Sequence, residues 1–153
     1  PVMADVLADR GTNALVVRGS DGLDEVTIFA DTEVWDATRG GAVHLDSIRL
    51  AATGVSEGQA SELKGGTAEL NAKIARDMFG GATEGPLRAV RDAVVLNTAA
   101  ALVAWDAANG IHSDEDITAR VIAAMPRAAE AIDSGAVLRL LDRWAAVSSE
   151  AAR

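Results

Sequence analysis

Apolar positions along this chain change their spacing near residue 65. Before it they fall in short runs and alternations broken by glycine, and after it they recur every three or four residues. Val2, Met3, Val6 and Leu7 are spaced for one face of a helix that Gly11 would end, with no capping residue ahead of it. Ala14-Leu15-Val16-Val17 is a continuous apolar run, read as a buried, central strand, and Gly19-Ser20-Asp21-Gly22 breaks it. Val26, Ile28, Val34 and Trp35 flank Ala30-Asp31-Thr32, a pattern of two strands joined by a turn. Beyond Gly40-Gly41, the positions of Val43, Leu45, Ile48 and Leu50 predict another strand, although the spacing slips by one between Leu45 and Ile48.

The second part reads as helices. Thr67 is placed to cap one in which Leu70, Ile74 and Met78 recur every four residues, and Gly80-Gly81 to end it. Pro86 suits the first turn of a longer helix whose Val90, Val94, Val95, Leu96, Leu102 and Val103 cover most of its circumference, so that helix is expected to be buried. Ser113 and Asp116 are spaced as a capping box opening a helix with Ile117, Val121, Met125 and Ile132, which Pro126 is expected to kink or divide. Gly135 separates it from a last helix defined by Val137, Leu138, Leu141 and Trp144. Strands followed by helices fit an α+β domain, and Leu15 to Val17 also fits a βα unit of an α/β sheet.

Composition narrows the chemistry. In 153 residues, 49% are hydrophobic, enough for one domain with a real core, and there is neither a long uncharged apolar run nor a signal-peptide pattern. A soluble cytoplasmic protein without a membrane span is the expectation. With no cysteine, disulfides and thiolate chemistry are excluded. A net charge of −9 opposes nucleic-acid binding, which needs cations against phosphates, and aromatic residues at 3% supply few stacking platforms. An anionic substrate would need a metal ion or a local cluster of donors.

The most informative segment is Gly19-Ser20-Asp21-Gly22-Leu23-Asp24-Glu25. Neighbouring side chains alternate sides in a regular strand, but in a glycine-punctuated turn Asp24 and Glu25 can converge on one hard cation. Mg²⁺ commonly takes one or two carboxylates, with substrate phosphates and waters completing its shell. An exposed acidic turn with no ligand explains the same residues. Asn97, inside the apolar run Val94-Val95-Leu96-Asn97-Thr98-Ala99, is expected to brace a nearby loop if buried, because an unpaired buried amide costs ~1–3 kcal/mol. Lys64-Gly65-Gly66-Thr67 could hold an anion at a helix start but reads better as an ordinary cap. His44 and His112 match no zinc spacing, and Ser20 lacks the glycine arrangement of a nucleophile elbow.

Several strings, in order, resemble anthranilate phosphoribosyltransferases. Leu15-Val16-Val17-Arg18-Gly19-Ser20-Asp21-Gly22-Leu23-Asp24-Glu25 resembles the family's strand followed by GLDE, and Lys64-Gly65-Gly66-Thr67 through Asn71-Ala72 its GGD-then-NA segment. Arg91-Asp92-Ala93-Val94-Val95-Leu96-Asn97-Thr98-Ala99 resembles its RDxVLLNAA helix, and Ala131-Ile132-Asp133-Ser134-Gly135-Ala136 its AIDSGKA stretch. Arg18 stands where the family commonly has His and Thr67 where it commonly has Asp, and Ala82 to Val90 is longer than the usual linker.

The resemblance implies an α/β fold of the nucleoside phosphorylase/phosphoribosyltransferase type, with 1–153 as the C-terminal portion of its mixed-sheet catalytic domain. The family's GTGGD phosphate loop, its KHGN-like anthranilate segment and its helical domain would lie upstream. It further implies transfer of phosphoribose from phosphoribosyl pyrophosphate to anthranilate in tryptophan biosynthesis, a Mg²⁺ cofactor held by Asp24 and Glu25, and a homodimer formed through the helical domain. This chain alone is expected to be inactive. The rival readings are a related nucleoside phosphorylase-like enzyme and a noncatalytic half-length module that binds a partner chain.

Overall fold

Three strands, Leu15–Gly19 (β1), Thr32–Asp36 (β2) and His44–Ile48 (β3), form an antiparallel sheet in the order β1-β2-β3. The computed structural model describes residues 1–151. A helix, Val2–Asp9 (α1), precedes the sheet, and Ala68–Phe79 (α2), Pro86–Ala108 (α3), Ile117–Asp133 (α4) and Ala136–Ala151 (α5) follow it. Val34, at the middle of the sheet, lies opposite Val17 on one side and Asp46 on the other.

The central position goes to β2, not to the apolar run of β1. In β2 the alternate residues Thr32, Val34 and Asp36 are buried, whereas Leu15, Val16 and Val17 are only partly covered. Among the described residues β1 pairs with β2 alone. Val26 to Ile28 is not a strand either, although both side chains are almost wholly buried. Its backbone bonds to side chains: Val26 N–H donates to Asn97 Oδ1 at 3.0 Å and Thr27 N–H to Thr32 Oγ1 at 3.2 Å. β3 stops at Ile48, and Leu50 opens a short 3-10 turn.

The helices follow the apolar spacing closely. Thr67 Oγ1 accepts from Leu70 N–H, Pro86 occupies the first turn of α3, and Gly135, with φ +71°, sits between α4 and α5. Asp116, not Ser113, caps α4 by accepting from Ala119 N–H at 2.8 Å, while Ser113 Oγ accepts from Glu115 N–H in the preceding loop. Pro126 lies within α4, which is one continuous helix. The start of α4 is stitched to β3: Asp46 accepts from Ile117 N–H at 2.9 Å, and the Thr118 hydroxyl donates to the Ser47 carbonyl at 2.8 Å.

The main core lies where α3 and α4 meet the sheet and the loop after β1. Val26, Ile28, Val34, Ile48, Leu96 and Val121 belong to it, and burying each such side chain is worth ~1.5–3 kcal/mol. A second cluster joins Met78, Val95, Ala128 and Ile132. The last helix, α5, has no fully buried residue, and Leu140, Trp144 and Val147 are exposed. No helix among the described residues is long and apolar enough to cross a membrane.

Candidate functional site

The acidic turn leaves the buried end of β1 and re-enters the core at Val26. Gly19 N–H donates to the Leu23 carbonyl at 2.7 Å, Gly22 N–H donates to the Gly19 carbonyl at 2.9 Å, and Gly22 takes φ +95°. That left-handed backbone suits glycine. Gly19 is constrained differently, since a side chain there would overlap the Asp21 carboxylate. Asp21 faces inward along its own loop, accepting from Leu23 N–H at 3.1 Å and from the Thr27 hydroxyl at 2.8 Å.

Beyond the acidic pair, Asn97 of α3 holds both backbone groups of one residue. Its Oδ1 accepts from Val26 N–H at 3.0 Å, and its Nδ2 donates to the Val26 carbonyl at 2.8 Å and to the Ala93 carbonyl at 3.0 Å. The expectation that Asn97 braces a loop is met, and the loop is the one that carries Asp24 and Glu25. Both of those residues are exposed, and the intramolecular hydrogen bonds and ion pairs of the described residues engage neither carboxylate.

Among the described residues no three His, Cys, Asp or Glu side chains gather as a complete metal cage. Two free carboxylates in a held turn nevertheless fit Mg²⁺, which accepts a short protein contribution when phosphate oxygens and waters supply the rest. Asp24 also lines a shallow depression with Val17, Arg18, Leu23, Glu33 and Trp35. The β1–β2 register sets Arg18 opposite Glu33, and both residues line this depression with Asp24.

The remaining sequence candidates have structural roles or stand apart. Asn71 Oδ1 accepts from Gly66 N–H at 2.8 Å, so the glycine-rich helix start binds its own chain. His44 and His112 are exposed, the first opening β3 and the second in the loop after α3. Arg91 donates to both oxygens of Asp133, at 2.8 and 3.0 Å, joining α3 to α4, although its Nε is buried without a partner. Burial pushes the Asp92 carboxyl up, and the nearby Arg88 and Arg91 guanidinium groups offset that only in part.

A buried ionic network escaped the sequence reading. Arg120 donates to Asp36 Oδ2 at 2.6 Å and to Thr38 Oγ1 at 2.6 Å, while Asp36 Oδ1 accepts from the Thr38 hydroxyl and backbone N–H at 2.6 and 2.8 Å. Arg39 Nε reaches Asp36 Oδ2 at 3.1 Å from the rim. The available signal was an arginine on the inward face of α4, in step with Ile117, Val121 and Ala124. Burial raises the Asp36 carboxyl, but the hydrogen bonds from Thr38 and the Arg120 guanidinium outweigh it and hold the group below its ordinary value.

Residues 1–138 match the family model described as glycosyl transferase family, a/b domain. The chain is 46% identical over 149 residues to the anthranilate phosphoribosyltransferase of Nocardia farcinica, a match that covers 97% of this chain and 42% of that protein. It is also similar to the crystal structure of the Thermus thermophilus anthranilate phosphoribosyltransferase, with TM-score 0.71 and 29% identity over 94% of this chain and 38% of the other. The fold recurs in the Saccharomyces cerevisiae anthranilate phosphoribosyltransferase in complex with PRPP and Mg, with TM-score 0.66 and 24% identity over 86% of this chain and 34% of that one. The chain thus spans about two-fifths of the length of the curated relatives it matches. Such relatives do not favour the nucleoside phosphorylase-like reading or the noncatalytic module. By the extent of the family match, this chain belongs to the glycosyl transferase family through its a/b domain, among relatives that are anthranilate phosphoribosyltransferases.

Proposed function

We propose that residues 1–153 form the C-terminal portion of the catalytic domain of an anthranilate phosphoribosyltransferase. The complete protein would move phosphoribose from phosphoribosyl pyrophosphate to the amine of anthranilate, a step of tryptophan biosynthesis in the cytoplasm. It would work as a homodimer joined through a helical domain outside this chain. The observation that carries the reading is the 46% identity to a relative of that activity along nearly the whole chain. The acidic turn agrees with it, because Asp24 and Glu25 are free, exposed and held from both sides.

In this reading Asp24 and Glu25 are the carboxylates that hold Mg²⁺. When bound, Mg²⁺ supplies charge stabilisation for a departing pyrophosphate. The chain's own contribution is placement: Asp21 and Asn97 fix the two ends of the turn before any ligand arrives, which limits reorganisation during the reaction. Arg18 adds a positive charge in the depression that Asp24 lines. The groups that align both substrates are expected outside this chain, and alignment accounts for ~7–11 kcal/mol of barrier reduction in favourable cases.

In the complete enzyme, Asp24→Asn and Glu25→Gln are expected to lower turnover by about a hundredfold, as loss of one electrostatic contact to a developing charge commonly does. The Mg²⁺ concentration needed for half-maximal rate should rise as well. Anthranilate fluorescence follows the reaction, and the 153-residue chain alone should give no Mg²⁺-dependent loss of it. Amide variants with unchanged turnover and Mg²⁺ dependence would remove Asp24 and Glu25 from the metal site.

A further inference from the structure

We infer that Asn97 is a positioning residue that sets the metal affinity of the acidic turn, by holding the peptide groups of Val26 so that Asp24 and Glu25 are presented together. The inference rests on reading those two carboxylates as the Mg²⁺ ligands.

The contact is more specific than burial of the loop requires. Val26 is 2% exposed and belongs to the main core, so its side chain already anchors the segment. An apolar anchor is non-directional, however: it leaves the peptide plane between Glu25 and Val26 free to rotate, while the plane after Val26 has one other tie, from Thr27 N–H to Thr32 Oγ1 at 3.2 Å. The Asn97 amide removes that freedom by bonding both the N–H and the carbonyl of Val26. Its third bond, to the Ala93 carbonyl of its own helix, fixes which way the amide faces, since a flipped group would set oxygen against two carbonyl oxygens. Leu96 and Ala99 beside it are wholly buried, so the clamp is mounted on a rigid part of α3. At the other end Asp21 holds Leu23 N–H at 3.1 Å. Asp24 and Glu25 lie between these ties and have no intramolecular side-chain partner among the described residues. Their arrangement therefore depends on the tie at each end, and loosening one makes the cation bear the cost of ordering the turn.

The test uses Mn²⁺ as a paramagnetic probe of the 153-residue chain, read from broadening of its backbone amide signals. In the unaltered chain, Mn²⁺ should selectively broaden the amides around Asp24, Glu25 and Val26. Asn97→Leu keeps the branched shape and number of heavy atoms but removes every side-chain hydrogen bond, and it should raise the Mn²⁺ concentration needed about tenfold, in keeping with a residue or two left to be ordered. Val103→Ala, a core change in the same helix, should lower stability without moving that concentration. If Asn97→Leu does not fold, Asn97→Ser in the same titration decides. An unchanged Mn²⁺ requirement in the Asn97 variant, with selective broadening lost in Asp24→Asn, overturns the inference and leaves the carboxylate reading standing. An equal rise in Val103→Ala overturns it too, as general softening. Selective broadening that is absent from the unaltered chain even with pyrophosphate added to complete the coordination, or that survives Asp24→Asn combined with Glu25→Gln, defeats the carboxylate reading and the inference with it.

Discussion

Asp36 and Asp24 carry the same carboxylate into opposite surroundings. The Asp36 side chain is 0% exposed and bonds to Thr38, Arg120 and Arg39, so its charge is balanced inside the fold. Asp24 is exposed and has no such partner among the described residues. The difference teaches how to separate acids that hold a fold from acids that can serve a ligand. A buried carboxylate must bring its partners with it, whereas one available to a metal ion must be held by its backbone, with its oxygens left free. Here the backbone is held by Asp21 and Asn97, neither of which has its side chain directed to a ligand.

The sharpest way to break this comparison is to remove the buried member. Asp36→Ala leaves Arg120 charged and 8% exposed without its ion-pair partner, and the expected loss is ~3–5 kcal/mol of folding stability. Urea denaturation of the variant against the unaltered chain measures it. A loss below about 1 kcal/mol, the size found for surface ion pairs, would show that water reaches the pair and that the contrast with Asp24 is false.

Acid titration sharpens the contrast with a smaller effect. The folded Asp36 carboxyl lies below its ordinary value, so its contribution is fully present above the unfolded value of about 3.9 and is lost as pH falls through the lower folded value. The unaltered chain should therefore lose stability more steeply than Asp36→Asn below about pH 4. Denaturation midpoints from pH 7 downward give the two slopes, and parallel curves would contradict the assignment.

The smallest effect is expected at the exposed pair. Asp24→Asn with Glu25→Gln should alter thermal stability by no more than ~0.5 kcal/mol, as for exposed side chains that hold nothing in place. Calorimetry of the double variant without metal provides the check, and a loss above about 2 kcal/mol would mean that the turn depends on these acids for its fold.

Much of the helical half was legible because the signals are local. Thr67 caps within three residues, Pro86 starts α3, and apolar spacing set the faces of α3 and α4. Reading failed where side chains compete for the same backbone. The pattern at Val26 and Ile28 correctly marked buried side chains, yet Asn97 and Thr32 took the hydrogen bonds a strand neighbour would have made. The apolar run at Leu15 to Val17 marked a strand but not its place in the sheet, because a row of hydrophobic side chains does not say which edges are paired. Ser113 had the spacing of a cap, but Asp116 was closer to the helix start and took the role.

By itself the sequence determined where α2 and α3 start, which helix faces are apolar, and that Asp24 and Glu25 sit together in a glycine-punctuated turn. Each of these depends on residues within a few positions of one another, where spacing and backbone preference act directly. The tertiary structure alone decided that β2 is central, that Asn97 grips Val26 across 71 positions, and that Arg120 meets Asp36 across 84. Those pairings form only when α3 and α4 pack against the sheet and its loops and exclude water, since buried polar groups then have no partners except one another.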